Sequence, residues 1–455
     1  MSGTVVVQVG QCGNQLGNSL FDRLFDEADS SRNKEFSSSS SQRFFSTKTG
    51  DGVYIANAVL VDMESKVISK VLAHQRTRKW HYNPRACVSA RQGSGNNWAN
   101  GYCNFGSSME EELVEAVKVI SDQIPSISTV LILMSSAGGT GSGLGCKITE
   151  IVRNVIPGAL VMNQVVLPFA HGEVAVQSYN LVLTLSSLYQ NSDSIILSHN
   201  DQYQTLARRL LPARSRDSVS FFEINSLMSA HLAGVLLPSS TVSRGKEGEE
   251  GKEEREEVSS ELIELDQVVE HMVPHPGFKL LTSRMMPVVS EYSRDFTNTS
   301  WEMLGKYSRQ MLLQNSILDE KLIWSIKPRS ELQTSNKNVS INTCISNFVV
   351  CRGTRLPVSE VEDKFSVPDI YKNNKARAKF GYSQSSFEKL DKSVFVLSNA
   401  KKNGEFLEKL IRQSWTKFQA KAFLYQYENY GLDSVWFNES FNILQKVDQD
   451  YRSIF

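Results

Sequence analysis

The sequence has no surplus of charge, no long apolar run and few cysteines. Its 455 residues carry 49 basic and 49 acidic side chains, so the formal charge is zero, and the isoelectric point is near 7.1. Such a balance gives no long-range field with which to gather on nucleic acid or an anionic membrane, and neither is expected as a partner. No stretch reaches the roughly 18 consecutive apolar residues of a membrane-spanning helix. The N-terminal MSGTVVVQVG lacks the charged segment and the longer apolar stretch of a signal peptide, so a reducing compartment is expected. The six cysteines (Cys12, Cys87, Cys103, Cys146, Cys344 and Cys351) contain no CxxC pair, which argues against a zinc site or a disulfide framework. Two familiar phosphate patterns are also missing. GxxxxGK[ST] cannot be written because Lys147 follows Cys146, and GxGxxG fails because the third glycine after Gly141 and Gly143 would fall at Cys146. The second absence leaves a dinucleotide-dependent oxidoreductase without support.

What is present is an ordinary globular composition, 40% apolar and 22% charged. At roughly 150 residues per domain the length suggests two or three domains. The first two hundred residues alternate apolar runs with amphipathic stretches. Val5–Val9 meets Gly10, after which Leu16, Leu20, Phe21, Leu24 and Phe25 recur at helical spacing. Residues 53–62 read as a strand ending at Asp62, and 110–124 as a helix. Residues 129–134 (TVLILM) are wholly apolar, as a buried parallel strand requires. Further runs follow at 160–167 and 194–198. This alternation predicts an α/β fold: an open, mostly parallel sheet with helices on both faces. Residues 30–42, with five consecutive serines, read as a solvated and poorly ordered loop, and 331–340 as a surface loop. Residues 244–257 (RGKEGEEGKEEREE) are too charged to bury themselves and read as a mobile insertion. Mixed α and β composition follows, and 400–455 reads as helical.

The most informative segment is Ser135-Ser136-Ala137-Gly138-Gly139-Thr140-Gly141-Ser142-Gly143-Leu144-Gly145, between the best buried strand and a helix. Successive N–H groups there can converge on an anion, and glycines let the backbone approach phosphate oxygens. Thr140 and Ser142 offer hydroxyl donors. Gly10-Gln11-Cys12-Gly13-Asn14-Gln15 forms a second glycine turn, at the end of the first strand. In a parallel sheet both glycine segments and Asp62 share the rim where ligands bind.

GQCGNQ near the N-terminus and AGGTGSGLG at 137–145 resemble the two nucleotide-loop signatures of the tubulin superfamily. QGSGNNWANGY at 92–102, VPHPGFKLL at 273–281 and VFVLSN at 394–399 are similar to further tubulin segments, and the likeness runs nearly end to end. VLVDMESKVI at 59–68 and MSSAGGTGSGLG at 134–145 are most similar to the delta-tubulins. The resemblance implies a GTP-binding domain over 1–220, a core helix over 221–243 and the charged insertion over 244–260. An intermediate α/β domain over 261–392 and a C-terminal helical region over 393–455 complete the division. It implies GTP/GDP and Mg²⁺ as cofactors. Gln11, Cys12 and Gln15 match positions near the phosphates and base, and Asp62 and Glu64 the acidic pair near the metal, whose preference for oxygen suits them. Asn96 matches a loop asparagine near the terminal phosphate. Within Ser135, Ala137, Gly138, Gly139, Thr140, Gly141, Ser142 and Gly143, the matching cradle positions are Ser135, Gly139, Thr140 and Gly141. Glu173 falls at the ribose, Phe221 where an aromatic ring stacks on the base, and Asn200 and Asn225 at the guanine edge, which an amide can read as both donor and acceptor.

Three departures qualify the resemblance. In tubulins one subunit completes the hydrolytic site of its neighbour. The activating acid lies six residues before the Val of the VP pair, and here that position is Gln267. An amide orients water but is a poor general base. Glu264 and Asp266 are the carboxylates nearby, and Asp266 points about 100° away from Gln267 on a helix. The insertion at 244–257 lies where the family packs against the next subunit. The C-terminal QKVDQDYRSIF carries no glutamate run. The expectation is a specialised GTP-binding subunit of the cytoplasmic cytoskeleton at the centriole or basal body, serving triplet microtubules and so cilia. Its partners would be alpha/beta-tubulin or another specialised tubulin, and microtubule or centriolar proteins. Hydrolysis would be weak or partner-dependent. The alternative is a nucleotide-switch GTPase that caps or regulates microtubule ends.

Overall fold

The computed structural model describes residues 2–47, 52–74, 78–170, 172, 174–212, 218–243, 257–331, 341–356, 358–372 and 378–453. Its strands are β1 (Gly3–Val9), β2 (Phe45–Thr47), β3 (Tyr54–Ala56), β4 (Ala58–Asp62), β5 (Trp80–His81), β6 (Cys87–Ser89), β7 (Ile127–Ser135), β8 (Leu160–Leu167), β9 (Ser194–His199), β10 (Ser240–Ser243), β11 (Glu257–Leu262), β12 (Leu280–Met286), β13 (Cys344–Gly353), β14 (Ala378–Ser383) and β15 (Lys392–Ala400). Twelve of them form one sheet in the order β11-β10-β14-β13-β15-β12-β9-β8-β7-β1-β4-β6. From β6 to β9 every pairing is parallel. β12 adds to β9 in parallel, Leu280 opposite Ile195, so the sheet runs without a break into the second half of the chain. There β15 lies antiparallel between β12 and β13.

Helices cover both faces of the N-terminal half, as the alternation predicts. β1 shows how the sequence directs this: Val5, Val7 and Val9 enter one apolar layer, and Val6 enters the other. The first layer packs under the helices Glu110–Ser121, Gly145–Val155 and Gln177–Asn191 and the C-terminal helices. The second packs under Gly10–Ser30 and the core helix Phe221–Leu236. The C-terminal region is helical at Phe406–Gln419, Tyr425–Glu428 and Ser434–Ser453.

Four sequence expectations change. Residues 30–42 are not a solvated loop: Lys34–Phe44 is a helix. Asn33 caps it by accepting from the Phe36 N–H at 3.1 Å, and Phe36, Ser40 and Phe44 form a buried stripe at spacings of four. Serines fit there because their small side chains let this helix lie against Gly10–Ser30. The strand expected at 53–62 is divided at Asn57, whose N–H donates to Phe44 O at 2.9 Å, leaving β3 and β4 in different sheets. The core helix ends at Leu236, before Pro238, and 240–243 is strand β10. The helix expected at 110–124 ends at Ser121. The charged run at 244–256, and 332–340 within the expected loop, lie outside the described residues; the former joins β10 and β11, which pair as an antiparallel hairpin.

Candidate functional site

β1 has β4 on one side and β7 on the other, and the chain winds outward in opposite directions from it. The carboxyl ends of these three strands therefore meet at a topological switch point, where α/β sheets take their ligands. GQCGNQ is not a separate turn there. β1 passes directly into the helix Gly10–Ser30 at Gly10, whose φ of +71° needs no Cβ. A Cβ at Gly10 would sit 3.0 Å from Gly141 N, so the two glycine segments touch. Gln11, Cys12 and Gln15 are consequently helix residues at the rim. Burial pushes the Cys12 thiol up to about 12, which keeps it protonated.

After β7 the chain turns through Ser136–Gly139 and becomes helical at Thr140, running through a wide turn, Thr140–Leu144, into Gly145–Val155. Among the described residues no side chain caps the start of this helix or of Gly10–Ser30. Two sets of helix-terminal N–H groups, each with the positive end of a dipole, thus converge on one place. The segment 92–102, a loop that has become helical by Asn100, closes over them. A Cβ on Gly139 would meet Asn97 O at 2.4 Å, and one on Gly143 would meet Trp98 O at 2.0 Å. Asn96, at φ +56°, brings Oδ1 to 3.5 Å from the Cβ position of Gly138. Ser142 is buried and donates to Gly138 O, so it holds the loop's shape, and Thr140 donates to Ser94 Oγ at 3.3 Å.

Asp62 ends β4 beside this cradle. Its Oδ1 accepts from Glu64 N at 3.2 Å, while buried Oδ2 has no partner among the described residues. Burial, with the neighbouring Glu64 charge, pushes the carboxyl up to about 6. Glu64 Oε1 lies 2.6 Å from the Cβ position of Gly93, so the pair also touches the closing loop. Asn14, which sequence reasoning did not single out, ties the rim together by donating to Gly10 O at 2.9 Å and Val61 O at 3.0 Å. A buried carboxylate with one free oxygen beside an anion cradle suits a hard cation that takes its other ligands from phosphate and water.

A cleft of about 1610 Å³ opens from this rim, and Gln11, Gln15, Glu64, Phe221 and Asn225 line it. Phe221 begins the core helix and is 57% exposed, its ring 6.3 Å from that of Phe169. Asn225, one turn further, is buried against the cleft. Asn200 starts the helix Asn200–Leu210 at the end of β9 and is outside the cleft lining. Glu173 is outside the described residues.

Residues 4–208 match the Tubulin/FtsZ family, GTPase domain. The chain is 36% identical to the Tubulin delta chain of Homo sapiens, the alignment covering 98% of this chain and 99% of that one. It is 35% identical to the Macaca fascicularis and 33% to the Mus musculus Tubulin delta chain, again over nearly the full length of both. The chain belongs to the tubulin family. The convergent helix ends of this tubulin lie within the residues that match the GTPase domain. Among the described residues no helix is long and apolar enough to cross a membrane.

The segment expected to act on a neighbouring tubulin is the helix Leu265–Met272, which buries Leu265, Val268, Val269 and Met272. Glu264 accepts from Ser2 Oγ at 2.8 Å and lies 3.8 Å from buried Arg43, so it is engaged within the chain. Asp266 accepts the N–H of Gln267 at 2.8 Å. Gln267 is exposed, and so is Glu270, one turn further on the same face, a carboxylate that motif counting passed over.

Proposed function

We propose that this tubulin is a delta-type, guanine-nucleotide-binding subunit of the centriole or basal body that serves triplet microtubules and ciliogenesis, with alpha/beta-tubulin or another specialised tubulin as partner. The observation that carries the nucleotide reading is the contact between Gly10 and Gly141, which aims two uncapped helix ends at one point. The phosphates sit against Gln11, Ser135 and Ala137–Gly143, with Asn96 over them. The base stacks on Phe221, with Asn225 at its edge and Asn200 approaching from the end of β9; Glu173 is proposed at the ribose. Mg²⁺, held by Asp62 and Glu64, would neutralise phosphate charge. GTP acts mainly as a structural cofactor, stabilising the fold by mass action. At the trans-acting position Gln267 supplies no strong base, so hydrolysis on a neighbour would have to draw on exposed Glu270, one turn further. The names of the relatives support the delta assignment.

Calorimetry with GTP, GDP and ATP, with and without Mg²⁺, tests the site. The reading requires GTP and GDP to bind, ATP to bind at least about tenfold more weakly through loss of the edge contacts, and Asp62→Asn to lessen the Mg²⁺ effect. Equal binding of ATP and GTP would remove Asn200 and Asn225 from the base site. Localisation of a tagged chain in ciliated cells tests the placement; absence from centrioles throughout the cycle would reject it.

A further inference from the structure

Asn180 lies in the first turn of Gln177–Asn191 and is fully buried. Its Nδ2 donates to Asn96 O at 2.8 Å and to Ala137 O at 2.7 Å. Its Oδ1 accepts from Trp98 N at 3.1 Å and from the Tyr427 hydroxyl at 2.7 Å. The partners fix the amide's orientation, because a flip would set carbonyl against carbonyl and N–H against N–H. One side chain therefore joins the closing loop, the glycine loop and the C-terminal region. Asn97 makes a second link, donating to Gln426 O at 3.0 Å. The C-terminal end of the clasp is itself held firmly. Tyr179 donates to Ala422 O at 3.1 Å, and the Tyr427 ring packs edge-on to Tyr179 and Phe437 at 5.7 and 5.3 Å.

We propose that Asn180 and Tyr427 are positioning residues of the nucleotide site, so that the C-terminal segment around 426–427 sets the spacing of the loops that receive the phosphates. The inference rests on the guanine-nucleotide reading above. Its physical basis is preorganisation. Gly95 and Asn96 have positive φ, and the two segments meet backbone to backbone where Gly139 faces Asn97 O and Gly143 faces Trp98 O, so a side chain that bridges them fixes their separation. Fixing their separation before binding removes an ordering cost from the affinity.

The full chain should be assayed as wild type, Tyr427→Phe and Asn180→Asp, by equilibrium binding and dissociation of fluorescent GDP from pH 5.5 to 8, alongside Tm without nucleotide. Tyr427→Phe keeps the ring and removes one neutral hydrogen bond. It is expected to weaken binding about fivefold, mainly through faster release, with Tm near that of wild type. Asn180→Asp turns a carboxylate oxygen toward two carbonyls. It should bind at least about a hundredfold more weakly at pH 8 and recover part of that in acid, when the neutral carboxyl again donates. The recovery is read as the ratio to wild type at each pH. A merely structural role would lower Tm and leave affinity and its pH profile unchanged, which would overturn the proposal. If Asn180→Asp does not fold, Tyr427→Phe decides alone, and wild-type affinity in it overturns the clasp. Wild type that binds no guanine nucleotide brings down the nucleotide reading and the clasp with it.

Discussion

Gly10 is the point at which a buried strand becomes a helix that faces the second glycine segment. With φ at +71° and Gly141 N only 3.0 Å from its Cβ position, it admits no side chain without strain and displacement of the facing loop. Gly10→Ala should lower Tm by several degrees and weaken GTP binding more than about tenfold; thermal melts and nucleotide titrations check both. Glu27, on the cleft side of the same helix, makes a pH prediction. Burial raises its carboxyl from the usual 4.5 to about 7, and Asp26 adds to this, against the lowering charges of Arg352, Arg23 and Arg294. The protonated form is thus favoured in the fold. Its contribution is complete below about 4.5 and is lost as the pH rises through about 7. Glu27→Gln should therefore have a higher Tm than wild type at pH 8 and nearly the same Tm at pH 5. At this scale the sequence showed the glycines and Asp62, because their chemistry is local. Asn180 carries no such mark. It stands in an apolar helix, SYNLVLTL, where the only hint is that a polar side chain so placed must find partners, and those partners lie 43 to 247 positions away.

The core helix connects the Phe221 end of the cleft to the second half of the sheet. Its N-terminus is closed by a capping box between Ser220 and Glu223. Two buried arginines hold its C-terminal carbonyls. Arg352 donates to Gly234 O at 3.0 Å, Leu237 O at 2.6 Å and Pro238 O at 3.0 Å, and Arg43 donates to Leu236 O at 2.9 Å. Arg352→Met would leave three buried carbonyls without donors, and chemical denaturation should show a loss of about 3 kcal/mol or more. The charged segment gives the opposite expectation. Ser243 and Glu257 are paired in the hairpin that it joins, so replacing 244–256 with a two-residue turn needs no change in the sheet. Such a variant should keep its Tm within about two degrees, since loop closure varies only slowly with length. Element periodicity predicted β1, β7, β8, β9 and the helices that follow β1 and β7 well. It failed at 34–44, where a serine run reads as solvent-facing and burial comes from Phe36 and Phe44 a helix turn apart.

Across the whole molecule, one sheet carries both halves of the chain, and the rim where β1, β4 and β7 end lies within its parallel part. Sequence composition suggests separate domains, and the β9–β12 pairing that unites them depends on residues 85 positions apart, which no local pattern records. A ligand that binds the folded rim stabilises the entire sheet, by about 2.7 kcal/mol at a hundred times its Kd. The most direct measurement is to denature freshly purified chain, identify the nucleotide released by chromatography, and compare melts with added GTP–Mg²⁺ and ATP–Mg²⁺. The account predicts guanine nucleotide in near-stoichiometric amount and a Tm raised by GTP but not by ATP. A chain that carries no guanine nucleotide, and melts identically in both, would contradict it.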